Sequence, residues 1–215
     1  MIPDWTRERQ RMVDEQLRRR GITDERVLAA MLEIPRQEFV PIELRVISYR
    51  DDPIAIGFGQ TISQPYMTAL MAQSLELKGT EVILDVGAGS GYAAAVLGAL
   101  GARVIAIELI AGLALLAAQN LQRTGRAANV QVVTGDGSVG YPEFAPYDAI
   151  SVGAAAPDVP AKLVDQLRDS GRLVIPVGTR HDQSLMIVTK KNGAPNSRKA
   201  TQCRFVPLRG AEGWR

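Results

Sequence analysis

From Val82 to Tyr92 the chain reads Val-Ile-Leu-Asp-Val-Gly-Ala-Gly-Ser-Gly-Tyr, five residues suited to a buried strand, then a glycine-rich turn, then a run of Ala, Val and Leu. This stretch constrains the fold more than any other. A strand that passes through glycines straight into a helix is the first half of a strand–helix–strand unit, and such units close onto a parallel neighbour with a right-handed crossover. Further apolar runs at Arg103–Glu108, Val130–Thr134, Ala149–Val152, Leu173–Val177, Ser184–Thr189 and Arg204–Leu208 are expected as strands, alongside Val82–Val86. Helices are expected near Tyr92–Leu100, Ile110–Thr124 and Val159–Leu167. Nearly continuous apolar strands alternating with helices predict an α/β fold: Rossmann-like and doubly wound, with a mostly parallel sheet covered on both faces.

Upstream the pattern is helical. Met12, Val13, Gln16 and Leu17 share one face, Gly21 interrupts, Thr23-Asp24-Glu25 opens a second helix through Val27, Leu28 and Met31, and Pro35 ends it. Residues 37–64 carry Pro41, Pro53, Gly57 and Gly59 with little periodicity, a length at which a connection is usually a functional loop or lid. After Pro65 another helix follows, with Met67, Leu70, Met71 and Leu75. The expected organisation is a single domain over 1–215: an N-terminal helical cap and substrate loop over 1–77, and a cofactor-binding sheet core over 78–215.

Composition removes several classes. Lys+Arg 25 against Asp+Glu 23 gives a formal charge of +2 without a long basic run, so no nucleic-acid partner is expected. A single cysteine, Cys203, and a single histidine, His181, rule out an intrachain disulfide, a thiolate zinc cage and paired-imidazole sites, and no metal is expected. The polar stretch Trp5-Thr6-Arg7-Glu8-Arg9 lacks the apolar core of a secretory signal, which makes the cytoplasm the default location. Residues 93–118 are strongly apolar, but Arg103, Glu108 and three glycines interrupt them; they read as buried strand and helix, with no membrane partner.

The glycine turn lets backbone N–H groups approach an anionic or polar ligand. In a dinucleotide fingerprint the residue three after the second glycine is small, whereas Tyr92 stands there, which argues against a nicotinamide cofactor. Asp85 lies two residues before Gly87, and Glu108 ends the next strand 23 residues later, where a carboxylate can accept hydrogen bonds from both ribose hydroxyls. Gly135-Asp136-Gly137 follows the third strand. Together these segments resemble the class I S-adenosylmethionine-dependent methyltransferases. The resemblance implies S-adenosyl-L-methionine as cofactor, with Gly87, Ala88, Gly89 and Gly91 lining its methionine part, Asp85 near its amino group, Glu108 and the adjoining Leu109 at the ribose, and Asp136 and Gly137 at the adenine.

A narrower resemblance rests on Met12-Val13-x-x-Gln16-Leu17, Gly21-Ile22-Thr23-Asp24, Ile34-Pro35-Arg36-x-x-Phe39-Val40-Pro41, Gly57-x-Gly59-Gln60-Thr61-Ile62-Ser63-Gln64-Pro65-Tyr66-Met67, Pro176-Val177-Gly178 and Arg204-Phe205-Val206-Pro207-Leu208. These are similar to the protein-L-isoaspartate O-methyltransferases, from about residue 12 to residue 209, and the Gly-Gln-Thr-Ile-Ser-Gln-Pro stretch is the most specific. The implied reaction is methyl transfer to the free α-carboxylate of isoaspartyl residues in damaged peptides and proteins. A carboxylate of pKa roughly 4 is ionised at pH 7, so such a reaction needs orientation rather than a general base, in keeping with one histidine. Ser63 is implied as the active-site serine, with Thr61, Ile62 and Gln64 as the adjoining wall and Val206 also on the substrate side. By position alone Ser63 reads as a helix cap before Pro65.

Three departures stand out: Gly153 where many members carry threonine, Gln37 where many carry histidine, and the charge-free stretch Ile110–Ala118, which is either covered or a self-association surface on an expected monomer. Two readings stay open beside the main one: a methyltransferase acting on an aspartate of a dedicated peptide, and a catalytically silent cofactor-binding module. A metal-dependent hydroxyl methyltransferase would need more carboxylates than Asp148 and Asp158 supply in their region.

Overall fold

The helical spacing of the first residues becomes, in the computed structural model, which describes residues 3–214, a helix α1 (Trp5–Arg11) that continues through tighter and wider turns over Met12–Arg20. The chain reverses at Gly21 and restarts as α2 (Glu25–Glu33), where the Asp24 carboxylate accepts the N–H groups of Arg26 and Val27. Ile34 leaves the helix because the residue before a proline is driven out of the α region.

The long segment before Pro65 is built rather than irregular. Two 3₁₀ turns (Arg36–Phe39 and Ile42–Ile47) lead into a hairpin of β1 (Ile54–Gly57) and β2 (Gln60–Ile62), turning at Phe58 and Gly59. Four and three residues are too few for a period to be read. Helices α3 (Pro65–Ser74), α4 (Tyr92–Leu100), α5 (Ala111–Arg123) and the short α6 (Ala161–Asp165) follow.

The main sheet comprises β3 (Val82–Val86), β4 (Arg103–Glu108), β5 (Val130–Thr134), β6 (Tyr147–Val152), β7 (Leu167–Gly178), β8 (Gln183–Lys191) and β9 (Ala194–Cys203), in the order β5-β4-β3-β6-β7-β8-β9. The first five strands in that order are parallel, and β8 and β9 are antiparallel. Strand order runs outward in both directions from β3 and β6, so a topological switch point lies at their carboxyl ends, where open α/β sheets bind ligands.

Both faces of the central strands are buried. Ile83, Val104, Ala106 and Ala149 pack with the N-terminal helices, α3, α4 and α5, whereas Leu84, Ile105, Ile107 and Ile150 pack with Tyr147, Leu163 and Leu208 on the other side. The alternation follows from the two-residue period of a strand. Each fully buried aliphatic side chain contributes about 1.5–3 kcal/mol relative to exposure.

Two expectations at the C-terminal end are corrected. Arg204–Leu208 is not a strand: its contacts are a bridge from Pro207 to Ala155 and hydrogen bonds between Ala155 and the neighbouring Val206 and Leu208. The last strand is β9, joined to β8 through Asn192 and Gly193 at φ +53° and +77°, the primed hairpin turn that suits strand twist. From Ala194 to Ala200 every residue is exposed, so no apolar alternation marks it. The helix expected over Val159–Leu167 shortens to α6 because Leu167 already pairs with Tyr147 at the start of β7.

The charge-free stretch becomes the first part of α5, burying Leu113, Ala114 and Ala117 and exposing Ala111, Gly112, Leu115 and Ala118. No helix among the described residues is long and apolar enough to cross a membrane.

Candidate active site

The carboxyl ends of β3, β4 and β6 surround a group of three cavities, and Gly153, the first residue after β6, lines all of them. The largest, about 440 Å³, is walled by Thr61, Ser63, Gln64, Tyr66 and by the segment from Thr201 to Val206. A narrow second cleft runs between Gly87, Gly89, Glu108, Leu109 and Gly137 on one side and Thr61 and Val206 on the other. A small third cavity holds Ser63, Asp85, Ser151 and Thr68. Ser63 therefore faces both the large cavity and the inner one, while Thr61 and Val206 stand between the large cavity and the cleft.

The electrostatics of the inner cavity centre on Asp85. Its side chain is 1% exposed, Oδ2 has no hydrogen-bond partner, and burial, with nearby Glu108 adding repulsion, pushes its carboxyl up to about 7. An isolated buried carboxylate is costly, so the site is prepared for a positively charged group.

The glycine turn differs from the anion cradle expected of it. The N–H groups of Gly87 and Ala88 donate to the Ile107 carbonyl at 2.8 and 3.2 Å, that of Gly89 to Glu108 Oε2 at 2.9 Å, and that of Gly91 to the Ala88 carbonyl at 2.8 Å. With those donors engaged inside the protein, the turn offers close backbone approach rather than free donors for a phosphate. Glu108 ties the turn to the start of α5, its other oxygen accepting the Ile110 N–H at 3.0 Å, and each carboxylate oxygen keeps further acceptor capacity toward the cleft.

The remaining expected residues separate into groups. Gly137 lines the cleft, and a Cβ there would sit 2.6 Å from Val86 Cγ1, which is why the position is glycine. Asp136 is turned to the protein itself: Oδ1 accepts from the N–H and hydroxyl of Ser138, and Oδ2 from the Ala211 N–H at 2.7 Å. Ala88 and Ile62 are buried beside the site, and Gly91, in the left-handed region, lets α4 start against Ala117. Gln60, Ile110 and Gly153 were not among the expected lining residues, although all three face the cleft. Gln60 stood in the Gly-Gln-Thr-Ile-Ser-Gln-Pro stretch and Gly153 among the departures, whereas Ile110 had as signal only its place after a strand end.

Ser63 is not the helix cap that its position suggested. The first turn of α3 has no side-chain cap from its own N-cap residue; instead Asp51 Oδ1 accepts the Tyr66 N–H at 3.0 Å. The Ser63 hydroxyl is thus not committed to the helix. Gln37, the departure at a position often histidine, is buried and accepts a hydrogen bond from the Tyr49 hydroxyl, a structural role away from the cavities. No group of three or more His, Cys, Asp or Glu side chains among the described residues could hold a metal ion.

Comparison with known proteins is consistent throughout the chain. A sequence profile of the protein-L-isoaspartate(D-aspartate) O-methyltransferases matches residues 7–213. A protein-L-isoaspartate O-methyltransferase from Methanoculleus marisnigri is 50% identical over 97% of this chain and 94% of its own length. Protein-L-isoaspartate O-methyltransferase 2 from Marinobacter nauticus is 53% identical over 96% and 94%. A solved protein-L-isoaspartate O-methyltransferase superposes with a TM-score of 0.85 at 30% identity, over 95% of this chain and 67% of that one. A Plasmodium falciparum structure described as a β-aspartate methyltransferase of this kind, in complex with S-adenosyl-L-homocysteine, gives 0.79 at 31% identity over 94% and 98%.

Proposed function

The chain belongs to the protein-L-isoaspartate(D-aspartate) O-methyltransferase family, and from that premise we propose how its own residues serve the reaction. It transfers a methyl group from S-adenosyl-L-methionine to the free α-carboxylate of L-isoaspartyl residues in damaged proteins and peptides. S-adenosyl-L-methionine, when bound, supplies a methyl group made electrophilic by a sulfonium centre.

The residues fit such a cofactor. The observation that carries the assignment is Asp85, a buried carboxylate with an unpartnered oxygen, beside a glycine turn whose N–H groups are engaged internally. That pairing suits a cationic ammonium rather than a pyrophosphate. Asp85 would hold the amino group, Glu108 would accept from the ribose hydroxyls, and Gly87, Gly89, Leu109 and Gly137 would line the nucleoside cleft, with Ala88 and Gly91 shaping the turn. Asp136 would act by holding the Ser138 and Ala211 segments beside the adenine end.

On the acceptor side, the Ser63 hydroxyl would donate to the substrate carboxylate and hold one oxygen in line with the methyl group. Thr61, Gln64 and Val206 would form the wall that excludes water, with Ile62 packed beneath. Orientation of an already ionised nucleophile is the whole task; no side chain has to remove a proton. We further propose that the chain works as one unit, residues 1–77 supplying the cap and substrate loop and 78–215 the cofactor core, as a cytoplasmic monomer that engages neither nucleic acid nor membranes.

Glu108→Ala is expected to weaken S-adenosyl-L-homocysteine by at least about tenfold by calorimetry, since it removes charge-assisted hydrogen bonds worth about 1.5–3 kcal/mol each and frees the turn. Unchanged affinity would sink the ribose assignment. For the reaction itself, labelled methyl groups should appear as base-labile label on a synthetic peptide with one isoaspartyl linkage, and not on its aspartyl twin. Label on neither peptide, with cofactor bound, would transfer the assignment to a dedicated peptide acceptor.

A further inference from the structure

Arg36 is 0% exposed, yet among the described residues no carboxylate forms an ion pair with it. Its guanidinium instead reaches three separate segments. Nε donates to the Ser48 carbonyl at 2.7 Å, Nη2 donates to the Ser63 carbonyl at 2.7 Å, and the guanidinium carbon lies 4.9 Å from the centre of the Tyr92 ring. Nη1 is buried without a hydrogen-bond partner. Burying an unpaired cation is expensive, and filling the same space with methionine or leucine would cost less. Packing alone therefore does not account for it.

The three segments explain what the fork does. Ser48 closes the second 3₁₀ turn, Ser63 borders both the large cavity and the inner cavity that holds Asp85, and Tyr92 is the first residue of α4, immediately after the glycine turn. We propose that Arg36 is the positioning residue of this enzyme: its planar fork sets the backbone of Ser63 at a fixed distance from the helix that begins at the cofactor turn. The inference rests on the reading of Ser63 as the carboxylate-binding serine. It concerns geometry rather than charge, because a guanidinium offers donors at fixed angles to two carbonyls, which an ammonium on a flexible stem cannot reproduce.

Arg36→Lys separates the two. It keeps the charge and loses the fork, so kcat on the isoaspartyl peptide is expected to fall roughly tenfold or more, as small misplacements of reacting groups do. The peptide KM and the affinity for S-adenosyl-L-homocysteine should stay within about twofold, a split that general loosening of the fold would not give. A folded variant with unchanged kcat overturns the proposal, and so does one that loses cofactor affinity in step with kcat. Should the variant not fold, the wild-type enzyme decides: the Arg36 Nε–H resonance, assigned through bonds, must move when isoaspartyl peptide is added to the protein saturated with S-adenosyl-L-homocysteine. A resonance that stays in place overturns the proposal. A wild-type enzyme that leaves the isoaspartyl peptide unlabelled instead defeats the reading of the site itself, which is a different result from a variant that alone keeps or loses kcat.

Discussion

Ser63→Ala is expected to lower kcat on an isoaspartyl peptide by about 100-fold while leaving the affinity for S-adenosyl-L-homocysteine within about twofold. The size follows from the bond removed. A hydroxyl donating to an ionised carboxylate is worth about 1.5–3 kcal/mol, which is roughly 10- to 150-fold at 1.36 kcal/mol per decade. The change deletes one oxygen and leaves the backbone that Arg36 holds and the Asp85 carboxylate of the inner cavity, so the nucleoside cleft, to which Ser63 does not contribute, should be unaffected. The loss should appear in kcat more than in KM, because the hydroxyl aligns an oxygen for transfer rather than anchoring the peptide. Steady-state kinetics with labelled methyl donor make the check, and turnover equal to wild type would remove Ser63 from the mechanism.

Asp85→Asn should produce effects of opposite sign on binding and stability. Binding of S-adenosyl-L-methionine is expected to weaken about 100-fold, since truncating one partner of a buried charge pair typically costs about 2–5 kcal/mol. The unliganded protein should instead become more stable at neutral pH. The Asp85 carboxyl is raised to about 7 in the folded chain, above the value near 4 of an unfolded aspartate. The folded state therefore holds a proton that the unfolded state has released, and the stability this carboxyl contributes is present below about pH 4 and lost progressively as pH rises through 7. Asparagine removes that dependence. Denaturant unfolding of the two proteins at pH 5 and pH 7.5 tests it: the wild type should lose a few kcal/mol more than the variant between the two. The same carboxyl should make cofactor binding tighten with rising pH up to about 7, with protons released on binding; parallel curves for both proteins would refute the assignment.

Much of the fold was legible because of where its strands lie. β3 and β4 are covered on both faces, so Ile83–Val86 and Val104–Ile107 are almost wholly aliphatic, while β5 at the sheet edge keeps its valines between an exposed Gln131 and Thr134; the observed bounds of all three agree with those read from the sequence. β9 lies at the sheet edge with its residues in solvent and gave no such signal, although Asn192-Gly193 marked the turn before it. At the site, Asp85 and Glu108 could be located because strand ends at a switch point collect ligand-binding residues. What the spacing could not show was who bonds to whom. The acceptor for Gly87 and Ala88 is a carbonyl on β4, Asp136 reaches Ala211 75 residues downstream, and Arg36 joins carbonyls 12 and 27 residues away. Those are tertiary facts, decided by how the elements meet.

The exposed strand at the end of the sheet bears on the company this protein keeps. Damaged and partly unfolded chains present loose strands, and a bare sheet edge is a template on which such strands pair and aggregate. β9 places Pro195, Arg198 and Lys199 along that edge, a residue without an N–H and two charges that a pairing strand would have to desolvate. At this edge an enzyme that handles injured proteins is thereby guarded against becoming the seed on which they assemble.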